Sequence, residues 1–262
     1  MADDMLEKLT PKELAGWYGR LADQIGADSK VKGISVSLAA LLMKRWLDTS
    51  QKGTFRFTAP PHLISNQYVK EALLYHRKVY LTDEKARIGK SPNQKQVWAG
   101  LIPRLQDGRW KAKASLDVHY ESLVEIPLTV QAKAWLGQGN AGDLDILYSL
   151  HGFQLHTEVT VTASPKAGSN RLKIMFTKFK ANAMDRYDWD PTKHITVPNP
   201  DYGKSFAGAV EPKSKSITVY HTNARRLESA GLAAPYDLES EPWNVVDVGV
   251  TGPGEVDPQK KL

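Results

Sequence analysis

The amino-acid sequence predicts an α+β protein in which a helical N-terminal portion precedes an antiparallel β-sheet or half-open β-barrel domain. Two patterns lead to this prediction. Apolar residues recur every three or four positions through the first fifty residues, which is typical of amphipathic helices. From Ser115 onward, segments rich in β-branched and aromatic residues alternate with breakers that contain glycine, proline and asparagine, which is typical of strands joined by turns.

The first fifty residues predict two helices. Thr10, Pro11 and Glu13 match a helix start, with a threonine cap, a proline in the first turn and a glutamate that closes a capping box. We expect this helix to end near Gly26 and a second helix to span residues 35–48. Two tryptophans on the apolar sides of these helices are expected in the core: Trp17 and Trp46.

The segment from Lys52 to Lys113 has a different character. It predicts a strand over 54–58, a helix over 63–75 and a strand over 78–81. Thirteen lysines and arginines stand against four acidic residues here, which indicates either a solvated face or a surface for an anionic partner. The segment therefore supports one alternative function, a nucleic-acid-binding or adaptor module that would use aromatic residues such as Trp98 and Trp110.

The remainder of the chain predicts mainly strands. The strand-like segments cover residues 115–120, 123–134, 145–150, 154–162, 172–179 and 216–220. The segments at 154–162 and 172–179 alternate apolar and polar residues and suggest a hairpin, after which residues 181–203 read as a loop. The predicted organisation is a mixed, basic region over 1–113, a β-rich domain over 114–251 and a disordered tail over 252–262.

Composition excludes several classes of site. The 262 residues include 35 Lys and Arg against 29 Asp and Glu, for a net charge of +6, and contain no cysteine. Disulfide frameworks, cysteine nucleophiles and thiolate metal sites are therefore excluded. The acidic N-terminus does not resemble a secretory signal, and the most apolar run, residues 34–43, is too short to span a bilayer. We expect synthesis in the cytoplasm without a signal peptide.

One segment concentrates reactive side chains. Between Asp185 and His194 the sequence reads Asp-Arg-Tyr-Asp-Trp-Asp-Pro-Thr-Lys-His, with three carboxylates, a phenol and an imidazole. Closely spaced carboxylates raise one another's pKa unless a cation is near, and an oxygen-rich set suits Mg²⁺. A histidine with a pKa near neutrality would transfer a proton, so hydrolysis of a phosphoester or pyrophosphate fits this set. The alternative is a turn in which the aspartates cap backbone amides.

The spacing Asp185-x-Tyr187-Asp188-x5-His194 resembles the D-x-Y-D-x5-H signature of the colicin M family of bacteriocins. In that family the motif likewise follows a run of β-strands near the C-terminus of a toxin domain. The resemblance implies an antibacterial, Mg²⁺-dependent phosphodiesterase that cleaves lipid II between undecaprenyl and pyrophosphate and so blocks peptidoglycan synthesis.

Carried over residue by residue, the resemblance implies that Asp185, Tyr187, Asp188 and His194 form the catalytic site. Asp185 and Asp188 would handle metal and pyrophosphate or activate water, His194 would transfer a proton, and the Tyr187 hydroxyl would orient the diphosphate. The sequence departs from the family at Ile195, where an arginine is usual, and at Asp201, where some relatives have a tyrosine. Substrate contacts are then expected from the remaining polar residues around the motif: Arg186, Lys193, Tyr202 and Lys204.

The same resemblance implies partners and a site of action. These are lipid II at the membrane surface and a cognate immunity protein. The N-terminal half shows no receptor-binding segment of a classical colicin, so we expect delivery through a secretion apparatus, with one of its components or a chaperone as partner and type VI secretion as the preferred route. The protein would be secreted or injected and act in the periplasm of target bacteria, without nucleic acid. A metal-dependent nuclease that uses the same Asp/His segment is a further alternative. His119 and His221 lie in β-like runs and are expected to be packing or surface residues.

Overall fold

The computed structural model describes residues 4–81, 114–135, 139–165, 172–203, 214–245 and 254–256. The helices are α1 (Asp4–Lys8), α2 (Pro11–Val31), α3 (Leu38–Leu47), α4 (Pro61–Ile64), α5 (Gln67–Leu81), α6 (Thr129–Trp135), α7 (Ala141–Ser149) and α8 (His221–Ser229). The strands are β1 (Phe55–Phe57), β2 (Ala114–Glu125), β3 (Gly152–Pro165), β4 (Leu172–Tyr187), β5 (His194–Pro198), β6 (Ser216–Tyr220), β7 (Tyr236–Ser240), β8 (Trp243–Asn244) and β9 (Gly254–Val256).

The predicted α+β class is confirmed, because N-terminal helices precede a sheet of antiparallel pairs. The main sheet has the order β1-β7-β4-β3-β2, with β8 and β9 pairing with β4, and a second sheet is the β5–β6 hairpin. The predicted hairpin is the β3–β4 pair, whose register shifts between Glu158 and Thr160. Near this bulge Lys178 has a φ of 56°, as irregular ladder positions often require.

The chain divides into two compact units that are not consecutive in sequence. Unit 1 comprises residues 1–56, 126–151 and 185–239, and unit 2 comprises residues 57–125, 152–184 and 240–262. The predicted boundaries between residues 113 and 114 and between residues 251 and 252 adjoin or fall within segments outside the described residues.

Unit 1 has a core built from the first helices. Thr10 caps α2 through a capping box with Glu13, as the sequence predicts, and Ser37 caps α3 through the amide of Ala40. Trp17 and Trp46 are almost fully buried, which confirms the prediction that they are core residues. Helix α2 runs beyond Gly26 to Val31, however, so the predicted end of this helix is wrong.

Unit 2 has a sheet core covered in part by α5. Strands β2 and β3 pair along their whole length, from Ala114 opposite Ala163 to Glu125 opposite Gly152. Helix α5 packs on β2 through His76, whose ring meets that of Tyr120 edge-on at 4.7 Å.

Three predicted strands are wrong in whole or in part. Residues 78–81 continue α5, the segment 123–134 is strand only to Glu125 and then forms α6, and residues 145–150 fall largely in α7. A short helix with several apolar residues has the same composition as a buried strand, so composition does not distinguish the two. Asn140 caps α7 by accepting a hydrogen bond from the Gly142 amide, a local signal for a helix start.

The C-terminal segment differs from its prediction at one place. Gly254–Val256 pairs with Leu172–Ile174 of β4, although residues 252–262 were expected to be disordered for lack of apolar anchors. Backbone hydrogen bonds to an available strand order such a segment without a side-chain core. In the described part of the chain, no helix combines the length and the apolar character needed to cross a membrane.

Candidate functional site

The motif begins inside a strand. Strand β4 extends to Tyr187 and β5 spans His194–Pro198, so the prediction of a loop over residues 181–203 is wrong for 181–187 and for 194–198. Burial alternates along the strand end and just beyond it: Tyr187 and Trp189 are buried, whereas Arg186 and Asp188 are exposed. This alternation is the strand pattern of one inward and one outward face. The motif therefore sends its tyrosine into unit 1 and one of its carboxylates outward.

Tyr187 and Trp189 belong to an aromatic cluster in unit 1. The Tyr187 ring stacks on Tyr236 at 5.4 Å between centroids with an interplanar angle of 16°. The Trp189 ring lies 5.7 Å from Tyr18 and 5.4 Å from Trp46. Such contacts add to the burial energy of large aromatic rings and hold the end of β4 in place.

Several polar atoms of this cluster are buried without a hydrogen-bond partner among the described residues: Trp17 Nε1, Tyr18 Oη, Tyr187 Oη, Trp189 Nε1 and His221 Nδ1. Burial raises the pKa of the Tyr187 hydroxyl well above its usual range, so this group stays protonated. Each buried polar group without a partner costs free energy, and such costs concentrate near functional sites.

Asp185 and Asp188 interact electrostatically at the end of β4. Burial raises the pKa of Asp185 to about 7, and the Asp188 charge acts in the same direction, while a backbone hydrogen bond from Arg186 partly opposes it. Arg186 lies between carboxylates, since its Nη1 donates to Asp237 Oδ1 at 2.8 Å and its Nε lies 3.8 Å from Asp188 Oδ2. Arg186 and Asp188 thus lie together on the outward face, whereas the half-buried Asp185 belongs to the inward face with Tyr187 and is affected by the Asp188 charge.

The histidine of the motif lies on a different hairpin. Asp190 accepts hydrogen bonds from the amide and hydroxyl of Thr192, which lower the pKa of its carboxyl, and Lys193 Nζ lies 3.8 Å from its Oδ2. This turn leads into β5, where His194 is exposed and its ring lies 5.7 Å from that of Tyr220. The structure therefore groups His194 with Tyr220.

The remaining predicted substrate contacts lie at the turn after β5. Tyr202 is exposed, and Lys215 Nζ lies 5.9 Å from its ring centroid. Its neighbour Asp201 is buried and accepts both bonds of a bidentate pair from Arg20, each 3.0 Å long, which fixes the turn against α2. Lys204 lies outside the described residues.

Two residues that the sequence did not single out for the site lie against the motif. The His221 ring meets Trp189 edge-on at 4.8 Å, and its backbone amide donates to the Lys193 carbonyl at 3.1 Å. Burial lowers the pKa of His221 to about 4, although a backbone hydrogen bond at Asp190 opposes the shift. The prediction placed His221 in a strand, whereas it begins α8.

The second such residue is Arg225, one helical turn further along α8. Its Nη1 lies 2.6 Å from Glu228 Oε2, and this carboxylate raises the pKa of Arg225, with smaller contributions from Asp188 and Asp190. No sequence signal joins α8 to the motif, because residues 195–220 separate the two segments.

Donors for a metal ion are limited at this site. Within the described ranges, no group of three or more histidine, aspartate or glutamate side chains is arranged to hold a metal ion. Asp185 and Asp188 are the two carboxylates that interact. Mg²⁺ can bind through one or two carboxylates when a substrate phosphate completes its ligands, and Asp188, exposed beside Arg186, is the carboxylate of this pair that a substrate-bound ion can reach.

Comparison with known proteins supplies no relative: no protein-family model, curated protein or solved structure matches the chain.

Proposed function

We propose that this protein is a Mg²⁺-dependent hydrolase of lipid II that separates undecaprenyl from the pyrophosphate. The observation that carries the proposal is the Asp185-x-Tyr187-Asp188-x5-His194 spacing, supported by the electrostatic coupling of Asp185 and Asp188 beside Arg186. Hydrolysis would add water across the phosphoester bond and release undecaprenol and the pyrophosphate-bearing sugar–peptide.

The carboxylates would hold the ion. Burial and the Asp188 charge both disfavour the ionised form of Asp185, and a bound cation would favour that form. Mg²⁺ would neutralise charge on the substrate phosphates. The chain's own residues would then share the remaining tasks of binding the phosphates and moving the proton.

The exposed residues would carry out the chemistry. Asp188 is accessible and would take the proton from the attacking water, while Arg186 and Arg225, which both interact with Asp188, would bind phosphate oxygens. His194 is exposed and would supply the proton to the leaving alcohol oxygen.

Tyr187 has a different role in this proposal from the one that the family resemblance implies. Its hydroxyl is buried and its ring stacks on Tyr236, so it would position the strand that bears Asp185 and Asp188. Tyr187 is thus a positioning residue whose ring, and not its hydroxyl, matters for the site.

The biological setting follows from this chemistry. The substrate lies at the membrane surface in the periplasm, so the protein would act there in a competing bacterium. A producer would need an immunity protein, and delivery would need a secretion-system component or chaperone. These remain part of the proposal.

The direct test is release of undecaprenol from lipid II in detergent micelles by the full chain, with Mg²⁺ or with a chelator. We expect Mg²⁺-dependent release and a loss of about a hundredfold or more in Asp188→Ala, because proton transfer typically contributes that much. The control is Asp23→Ala, which removes an exposed carboxylate that pairs with Lys44 on the surface. This control should keep full activity.

Two outcomes would contradict the proposal. One is no undecaprenol release by the wild-type chain with Mg²⁺, and the other is full activity in Asp188→Ala. Parallel incubation with plasmid DNA and RNA separates the nuclease alternative, since Mg²⁺-dependent loss of nucleic acid that requires Asp188 would favour it.

A further inference from the structure

Unit 1 contains a cavity of about 390 Å³ that does not involve the motif. Helix α2 and its C-cap Lys32 line it at positions i, i+3, i+4 and i+7 counted from Ile25, and α7 lines it at the same positions counted from Ala141. This is the spacing of one helix face. The end of the β5–β6 hairpin at which residues 199–215 connect the two strands completes the wall at Pro198 and Lys215.

The buried carboxylate in the wall is already used by the fold. Asp145 accepts hydrogen bonds from the Ser37 hydroxyl and from the amides of Leu38 and Ala39, the latter two at 2.7 and 3.3 Å. Its negative charge therefore stabilises the N-terminus of α3. It does not determine the charge of a ligand in the cavity.

The other polar groups are mostly donors. Lys32 and Lys215 bring two ammonium groups to the rim, where Asp28 brings one carboxylate. Burial raises the pKa of the Tyr148 hydroxyl, which accepts a hydrogen bond from Gln131 at 3.5 Å and keeps its own hydrogen to donate. The lining has two lysines and two aspartates, but the buried aspartate is held by the three donors at the start of α3. Among the described residues of the lining, Lys32 and Lys215 therefore face only Asp28 as a free carboxylate near an acceptor group.

The rest of the wall is apolar. Ile25 is buried on the α2 side, and Leu144 and Pro198 add apolar surface from α7 and β5. A volume near 390 Å³ is within the range of small-molecule sites, which combine an apolar lining with a few polar groups.

We propose that this cavity binds a small amphiphilic anion, with a carboxylate or phosphate group between Lys32 and Lys215 and an apolar body against Ile25 and Leu144. The proposal is independent of lipid II hydrolysis, because none of these residues belongs to the motif. It assigns a second binding site to unit 1.

The test measures binding of phenyl phosphate and benzoate to the full chain by calorimetry. Inorganic phosphate has only the anionic group and benzyl alcohol has only the apolar body. Each of these partial probes should bind more weakly than either complete probe. The tighter of the two complete probes identifies the anionic group. Lys215→Gln should weaken binding about fivefold, as expected for loss of one partly exposed charge.

Lys30→Gln is the matched control, because Lys30 is exposed on the same helix α2 but does not line the cavity. Ala141→Phe should abolish binding by filling the cavity. If this variant fails to fold by circular dichroism, the double variant Lys32→Gln/Lys215→Gln replaces it, since both positions are exposed. The proposal is overturned if no probe binds, if Lys30→Gln weakens binding as much as Lys215→Gln, or if a folded Ala141→Phe or the double variant binds like wild type.

Discussion

Unit 2 buries a histidine and unit 1 half-buries one, and the two units satisfy the ring nitrogens differently. In unit 2, His76 Nδ1 and Nε2 form hydrogen bonds with Thr157 Oγ1 at 2.8 Å and with Ser122 Oγ at 2.7 Å. In unit 1, His221 Nδ1 has no hydrogen-bond partner among the described residues, and the ring contacts Trp189 instead. Burial lowers the pKa of both, to about 3 and about 4 respectively, so hydrogen bonding distinguishes them and the direction of the pKa shift does not.

The hydroxyl groups follow the same contrast. Thr157 in unit 2 donates to the Tyr120 carbonyl at 3.1 Å, whereas the Tyr187 hydroxyl in unit 1 has no partner within the described ranges. An unsatisfied buried polar group costs about 1–3 kcal/mol, so unit 1 carries a cost around the motif strand that its aromatic packing must offset. The contrast is local to the motif strand: elsewhere in unit 1 the buried Asp145 and Asp201 accept hydrogen bonds, and in unit 2 Trp243 Nε1 has no partner among the described residues.

The largest expected effect tests that aromatic packing. Trp189→Ala should lower the free energy of unfolding by about 3–5 kcal/mol, because it opens a cavity at the centre of the ring cluster. Chemical denaturation followed by circular dichroism measures the loss. Tyr202→Ala is the matched control, since Tyr202 is an exposed aromatic residue of the same unit. A loss below 1 kcal/mol in Trp189→Ala would show that this cluster does not hold unit 1 together.

The sequence predicts part of the fold for local reasons. The capping box at Thr10 and Glu13 marks the start of α2 correctly, because its hydrogen bonds join residues three apart. The end of α2 is missed because Gly26 faces a neighbouring helix: a Cβ there would lie 3.4 Å from Ala40 Cβ. The glycine that follows the helix is Gly33, with a φ of 84° that favours glycine.

The candidate site is harder to predict because it depends on contacts across the sequence. The motif predicts the pair Asp185 and Asp188, which are close in sequence and do interact. The contacts of Trp189 with His221 and of Arg20 with Asp201 join residues that are far apart in the sequence, and no local sequence pattern predicts them. Assigning residues 145–150 to a strand also hid the helix face that lines the cavity of unit 1.

The next effect concerns how the stability of unit 2 depends on pH. His76 has a pKa of about 3 in the folded protein and an ordinary value near 6.5 when unfolded. Between these values the unfolded chain binds more protons at this position than the folded protein does. The contribution of His76 to the free energy of unfolding is therefore fully present above pH 6.5 and is lost as the pH drops toward 3. The slope contributed by this one group is about 1.4 kcal/mol per pH unit at most.

Hydrogen exchange of peptides from β2 and β3, followed by mass spectrometry, measures this slope within unit 2. His76→Gln should flatten the slope, because glutamine does not titrate and its amide retains a hydrogen bond with one of the two hydroxyls. His119→Gln, at an exposed position of β2, is the control and should keep the slope. Equal slopes in wild type and His76→Gln would refute the link to His76.

The smallest expected effect on stability comes from removing the Tyr187 hydroxyl. Tyr187→Phe keeps the ring that stacks on Tyr236 and deletes an oxygen without a partner, so the free energy of unfolding should rise by about 1 kcal/mol, the lower end of the cost of an unsatisfied buried polar group. Thr157→Val in unit 2 is the contrasting variant, and it should cost about 1–2 kcal/mol because His76 and Tyr120 each lose a hydrogen bond. Similar losses in both variants would remove the difference between the units.

The same Tyr187→Phe variant decides between the two roles of Tyr187. If the tyrosine positions the strand, the variant should hydrolyse lipid II at the wild-type rate, and Tyr187→Ala should lose activity because the stacked ring is gone. If Tyr187→Phe folds normally but loses activity about a hundredfold, the hydroxyl must reach the substrate. Unit 1 would then have to open around Tyr187 during the reaction, because this side chain is buried in the structure. The unpartnered hydroxyl would in that case be a catalytic group held ready for the substrate.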